Sequence, residues 1–151
     1  MFIIALEGKM TAIACDHGGL ELKNKIIKHL EVIGVECRDF GCFTKDSCDY
    51  PDYARPAAEA VASGECNNGI VICTTGIGVS ITANKVRGIR CALCCSEYTA
   101  EMTRLHNNAN VLALGAKTVD EETALKIVDI FLSTPFSGEE RHMRRISKIE
   151  G

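Results

Sequence analysis

The chain has 151 residues, 46% of them hydrophobic, enough for one domain to bury about two-thirds of its unfolded surface without help from disulfides or metal. A formal net charge of −3 argues against nucleic acid and membrane as partners, since both draw on a broad excess of Lys and Arg, and leaves a small soluble ligand as the expected one. Nine cysteines is an odd number, and several (Cys15, Cys73, Cys91, Cys94, Cys95) sit inside apolar runs, so they read as reduced thiols of a cytoplasmic protein.

Residues 1–6 are apolar but too short for a signal-peptide core, lack a basic leader and run into Glu7 and Lys9. A fresh strand-like run starts at Met10, so residues 1–9 are expected to be an N-terminal extension and residues 10–151 a single domain. Strands are predicted at 12–15, 35–40, 69–73, 90–95 and 111–114, each followed by a helix-length segment. Strands that are apolar on both faces imply a parallel sheet covered by helices on each side.

The first helix should bury Leu22, Ile26, Leu30 and Ile33, turn Lys23, Lys28 and Glu31 outward, and end at Gly34. His29 reads as exposed. Residues 41–51 form the longest irregular piece, and Pro56 is placed in the first turn of a helix begun near Asp52, where its missing N–H matters little. Thr118 with Glu121, and Ser137 with Glu140, fit the capping box and should open the last two helices.

In an open parallel sheet, ligands bind beyond the carboxyl ends of the strands, where the strand order reverses. Asp16-His17-Gly18-Gly19 follows the first strand, and Cys73-Thr74-Thr75-Gly76-Ile77-Gly78 follows the third, with Asp49-Tyr50-Pro51 in the loop after the second. A thiol beside a helix N-terminus stands where an anion or a thiolate is stabilised; a buried cysteine before an ordinary turn is the alternative. Asp16 and His17 could supply a carboxylate and an imidazole to a substrate's hydroxyls or ring oxygen, or be an N-cap and a loop histidine. His106 closes the fourth helix, where the dipole alone would favour it. Arg141, Arg144, Arg145 and Lys148 share one face of the last helix, either as a phosphate clamp or as a solvated surface.

Competing chemistries fail on spacing. Cys91 and Cys94 lie three apart in a predicted strand, pointing to opposite faces, and no second C-x-x-C exists, so no metal site is expected. A cysteine-dependent phosphatase needs arginine where Val79 stands, and the P-loop and dinucleotide fingerprints are missing. Acid–base chemistry free of metal and cofactor remains.

Taken in order, Asp16-His17-Gly-Gly, Asp49-Tyr50-Pro51, Cys73-Thr-Thr-Gly76-Ile-Gly78, Gly88-Ile89-Arg90, His106-Asn107-x-x-Asn110 and Gly138-x-x-Arg141-His142 resemble the ribose 5-phosphate isomerase B family, from about Met10 to the C-terminus. The resemblance implies a Rossmann-like αβα sandwich with a five-stranded parallel sheet. It also implies interconversion of D-ribose 5-phosphate and D-ribulose 5-phosphate through an enediolate, a step of the pentose phosphate pathway. By the same resemblance Cys73 is the base between C2 and C1, and His106 opens the furanose ring with Asp16 and His17. Residues Thr74, Thr75, Gly76, Ile77 and Gly78 hold the enediolate oxygens, Tyr50 lines the pocket, Asn107 takes a sugar oxygen, and Arg141 and Arg145 bind phosphate with His17. The site is implied to be shared across a homodimer or a dimer of dimers. Thr74 stands where the family has glycine, and Lys117 where arginine is common. The alternatives are an isomerase of a six-carbon sugar phosphate, allose 6-phosphate or galactose 6-phosphate, and a non-catalytic sugar-phosphate-binding module.

Overall fold

Buried apolar runs pair in parallel to make the centre of the molecule. The computed structural model describes residues 8–151, so most of the expected N-terminal extension lies outside the described residues. Strands β1 (Met10–Cys15), β2 (Glu36–Asp39), β3 (Asn68–Cys73), β4 (Cys91–Leu93) and β5 (Val111–Gly115) form one sheet in the order β2-β1-β3-β5-β4. Every pairing is parallel. The helices are α1 (Leu20–Val32), α2 (Pro51–Ala62), α3 (Ile77–Asn84), α4 (Glu97–Asn107), α5 (Glu121–Ser133) and α6 (Glu140–Glu150), with a single 3₁₀ turn over His17–Gly19.

Strand side chains alternate between two cores. Ile13, Ile70, Ile72, Leu112 and Leu114 face α1 and α5, joined by Leu22, Ile26, Leu30, Ile127 and Phe131. Ala12, Ala14, Val71 and Ala113 face α2 and α3, where Ala54, Ala57, Ala58, Val79 and Ala83 pack against them. The second face is built largely from alanine, so α2 approaches the sheet closely. This three-layer αβα arrangement matches the sequence expectation, and the order reverses between β1 and β3, which puts the crevice at the carboxyl ends of those two strands.

Several local expectations are corrected. Lys23 does not face solvent but is completely buried: its Nζ donates to Asp39 Oδ1 at 2.7 Å, Asp39 Oδ2 at 2.9 Å and the Cys42 carbonyl at 2.6 Å. Those contacts use up the ammonium's donors, and the Phe43 ring covers it at 4.6 Å from the ring centre. Helical periodicity cannot reveal a buried cation whose partner lies in a distant strand. His29 is half-buried and bonds Asp129 through Nε2 at 2.6 Å. Helix α2 starts at Pro51, which takes the first-turn role, and Pro56 lies inside the helix. Neither capping box forms: Asp120 caps α5 by accepting from Thr123 N at 2.7 Å, Thr118 turns back to the Gly115 carbonyl, and Ser137 donates to the Leu105 carbonyl at 2.8 Å. Edge strands β2 and β4 are shorter than expected and only partly covered.

The ammonium joins α1 to the end of β2 and to the loop that carries Tyr50. Asp39 keeps 27% of its side-chain surface exposed, so removing its partner leaves a carboxylate in a mostly dry position. Lys23→Ala is expected to lower stability by about 3 kcal/mol, read as a shift in the urea midpoint at constant slope.

Candidate active site

The carboxyl ends of β1 and β3 gather one group of the predicted residues. Asp16 is buried and caps the 3₁₀ turn, its Oδ1 accepting from Gly18 N at 2.9 Å and Gly19 N at 3.1 Å. Its own N–H donates to the Ile72 carbonyl at 3.2 Å, which ties the turn to β3. Gly19 is required there, because a β-carbon would stand 2.8 Å from that carbonyl. His17 is exposed, and its Nδ1 accepts from Cys48 N at 3.2 Å. The neutral ring therefore carries its proton on Nε2, which can donate to an anion.

Cys73 ends β3 with 5% of its surface exposed, and its Sγ accepts from Gly76 N at 3.1 Å. The chain makes this turn because Gly76 adopts φ +77° immediately before α3, where a β-carbon would strike Leu93 and the backbone around Leu114. Thr75 Oγ1 accepts from Ile77 N at 3.3 Å, and the early N–H groups of α3 point back along the turn. The loop after β5 pins the other side: Ala116 N donates to the Cys73 carbonyl at 2.9 Å, and Lys117 N to the Thr74 carbonyl at 3.0 Å. Thr74 lies with its hydroxyl over Gly18, so the side chain at this position fills space between the two turns. The Tyr50 ring lies against Gly78, where a β-carbon would come within 2.5 Å of it. Asp16, His17, Cys48, Asp49, Tyr50, Pro51 and Asp52 line an open cleft of about 510 Å³.

Three of the other cysteines have thiols raised strongly by burial. Burial pushes the Cys15 thiol up to about 12, against the opposing charge of Lys23, and pushes Cys94 up to about 11. Burial raises Cys91 further still. These groups stay protonated near neutral pH, so an abundance of cysteine does not mean an abundance of nucleophiles.

The second group lies elsewhere. Helix α4 leaves β4 and leads into the parallel strand β5, so its last turn, with His106 and Asn107, sits at the amino ends of the strands. Asn110, three residues on, accepts through its carbonyl from Gly69 N at the start of β3, while Cys73 stands at the end of that strand. The separation along β3 is roughly 13 Å, farther than one small sugar phosphate can bridge while still meeting both groups.

Helix α6 lies with His106. Ser137 ties its approach to Leu105, Arg90 Nη1 holds Glu150 at 2.7 Å, and Arg90 also donates to the Asn107 and Asn108 carbonyls. Arg141 and Arg145 are exposed on this helix, with Arg141 Nε 2.9 Å from Glu139. A second cleft of about 510 Å³ opens at this end, bordered by Arg87, Arg90, Asn107 and Ile149, and none of the Cys73 group lines it. The chain thus brings Asp16, His17, Tyr50 and residues 73–78 together, and places His106, Asn107, Arg141 and Arg145 at the opposite end.

The sequence motif included His142 but assigned it no role; it is buried and stacks on His106 with ring centres 4.3 Å apart and planes 18° from parallel. It is the one buried residue of α6, since Ile146 is only partly covered and Ile149 is exposed, so no apolar stripe marked it. Cys48, whose N–H fixes the His17 tautomer, carries no signal in the sequence.

Comparison with known proteins bears on this arrangement. The Ribose/Galactose Isomerase family model matches residues 11–149. Ribose-5-phosphate isomerase B of Escherichia coli is 46% identical over 141 residues, covering 93% of this chain and 94% of that protein. The structure of the Clostridium thermocellum ribose-5-phosphate isomerase B superposes with a TM-score of 0.91 at 51% identity, covering 93% of this chain and 95% of that one. The Mycoplasma genitalium enzyme with bound ribulose 5-phosphate superposes with a TM-score of 0.90 at 43% identity, covering 95% of each chain.

The Tyr50–Gly78 contact yields a test of the cleft. Gly78→Ala should displace the Tyr50 ring and lower kcat/KM for a sugar phosphate by about 10-fold or more, with circular dichroism unchanged; unaltered kinetics would show that the ring does not shape the pocket.

Proposed function

The chain belongs to the ribose/galactose isomerase family, and from that premise we propose that it interconverts D-ribose 5-phosphate and D-ribulose 5-phosphate by proton transfer through an enediolate. The observation that carries this reading is the Cys73 thiol at the mouth of the sheet crevice, enclosed by the Gly76 N–H at 3.1 Å and the start of α3. One turn there offers both a base and donors for an oxyanion.

Ring opening comes first. His106 gives a proton to the ring oxygen while the Asp16 carboxylate accepts the proton of the C1 hydroxyl, releasing the open aldehyde. The Cys73 thiolate then takes the C2 proton, and the electron pair moves through C1 to leave an enediolate whose charge is held by the amides of residues 74–78, with Thr75 beside them. Delivery to C1 of the Cys73 thiol proton, which exchanges with solvent while the enediolate persists, with transfer of a hydroxyl proton from O2 to O1, completes the ketose without any net loss of atoms or electrons. His17 Nε2, Arg141 and Arg145 hold the phosphate, and Asn107 takes a sugar oxygen. Thr74, packed over Gly18, reduces the space beyond the turn and suits a five-carbon sugar better than a six-carbon one.

The two residue groups meet across a homodimer, or a dimer of dimers, with His106, Asn107 and the α6 arginines of one protomer completing the crevice at the ends of β1 and β3 of another. The separation of the groups within one chain supports this arrangement. Residues 10–151 act as the isomerase domain, and nine free cysteines suit the reducing cytoplasm.

Cys73→Ala should lower kcat by about 10²- to 10⁴-fold while ligand binding persists, and should abolish deuterium entry when ribulose 5-phosphate is followed by proton NMR in D₂O. Retained turnover would remove Cys73 from the mechanism. Subunit sharing has its own test: refolding inactive Cys73→Ala together with inactive His106→Asn should restore about a quarter of the wild-type rate, because half of the random dimers gain one intact site. A mixture as inactive as its parts would place the whole site in one chain.

A further inference from the structure

We propose that His142 is a positioning residue for ring opening: its imidazole is a flat, uncharged platform that fixes the plane of His106. The inference rests on the reading of His106 as the ring-opening group, and extends it to a residue that does not itself reach the sugar.

Two observations carry it. The rings stack at 4.3 Å between centres with 18° between planes, closer and more parallel than incidental contact between neighbouring helices requires. His142 is buried, with 5% of its surface exposed, yet among the described residues its Nε2 has no hydrogen-bond partner. Buried polar atoms nearly always find one. A histidine held for its hydrogen bonds would use that nitrogen, so the ring face is what this residue contributes.

The surroundings keep the platform neutral. Burial holds the His142 imidazole below the ordinary histidine range, reinforced by His106, Arg141 and Arg145 and opposed by Glu139. A charged platform would repel His106 each time that ring takes a proton, whereas a neutral ring offers its π face to an imidazolium. Both histidines ride on one chain, one at the end of α4 and one near the start of α6, so the pair travels as a unit. Ring opening needs a nitrogen aligned with both the ring oxygen and the C1 hydroxyl, and a free χ2 rotation at His106 would spoil that alignment.

The experiment compares His142→Asn, His142→Phe and His106→Asn as full-length proteins, measuring kcat and KM for ribose 5-phosphate and, separately, deuterium exchange into ribulose 5-phosphate. The ketose has no free C5 hydroxyl and stays open, so its exchange needs the Cys73 step but no ring chemistry. His142→Asn should lower kcat by roughly 10- to 100-fold with KM within about twofold and exchange near wild type, and His142→Phe, which keeps a flat ring, should recover kcat to within about fivefold of wild type. Exchange near wild type also shows that the variant has folded and assembled. Normal kcat in His142→Asn, or a Phe variant as slow as the Asn variant, would overturn the proposal, as would exchange lost in step with isomerisation. If His106→Asn itself isomerises at the wild-type rate, the parent reading of His106 fails instead, and the contrast between the two Asn variants separates these cases.

Discussion

Chain direction governs everything else in this molecule. Parallel strands oblige the intervening helices to run back antiparallel, so each strand delivers its last residue to one end of the sheet and each returning helix delivers its last residue to the other. Cys73 is a strand-end residue and His106 a helix-end residue. Their separation is thus a property of the topology and not of any side-chain detail. The order reversal between β1 and β3 then decides which strand ends can share a crevice, and brings the Asp16 turn beside the Cys73 turn.

Within the crevice, backbone groups do most of the fixing. Asp16 uses one carboxylate oxygen to cap a turn, Cys73 receives an amide from its own turn, and the loop after β5 clips the carbonyls of Cys73 and Thr74. Small residues permit these close approaches: Gly19 lies on the β3 backbone, Gly76 takes the left-handed conformation, and Gly78 receives the Tyr50 ring. The buried Lys23 ammonium ties α1 to Asp39 at the end of β2 and to the Cys42 carbonyl in the loop that follows.

The βαβ order, the parallel sheet and the residues at the ends of β1 and β3 were legible in the sequence, because apolar runs, glycine turns and motif spacing are local patterns. Element ends and caps were less so. Asp120 outcompetes Thr118 for the start of α5 since the chain after β5 first makes a turn onto Gly115, a tertiary requirement that a four-residue pattern does not contain. Lys23 and His29 read as outward because their partners, Asp39 and Asp129, stand 16 and 100 residues away along the chain. His142 stood in the Gly138-x-x-Arg141-His142 motif, but its burial was not legible for a related reason: it is the single inward residue of a largely charged helix. The grouping of site residues into two ends follows from strand order, which spacing alone does not give.

Helix α6 is fastened at both ends, by Ser137 to the carbonyl of Leu105 and by Glu150 to the Arg90 guanidinium, which also grips the turn after His106. A basic helix joined by one flexible tether would sample many orientations, and capturing an anion would then require freezing the whole segment. Here that conformational entropy is surrendered when the chain folds. On the proposed reading, in which Arg141 and Arg145 hold the phosphate, only the outer bonds of those two side chains would remain to be ordered at the moment of encounter, and more of the attraction would survive as affinity.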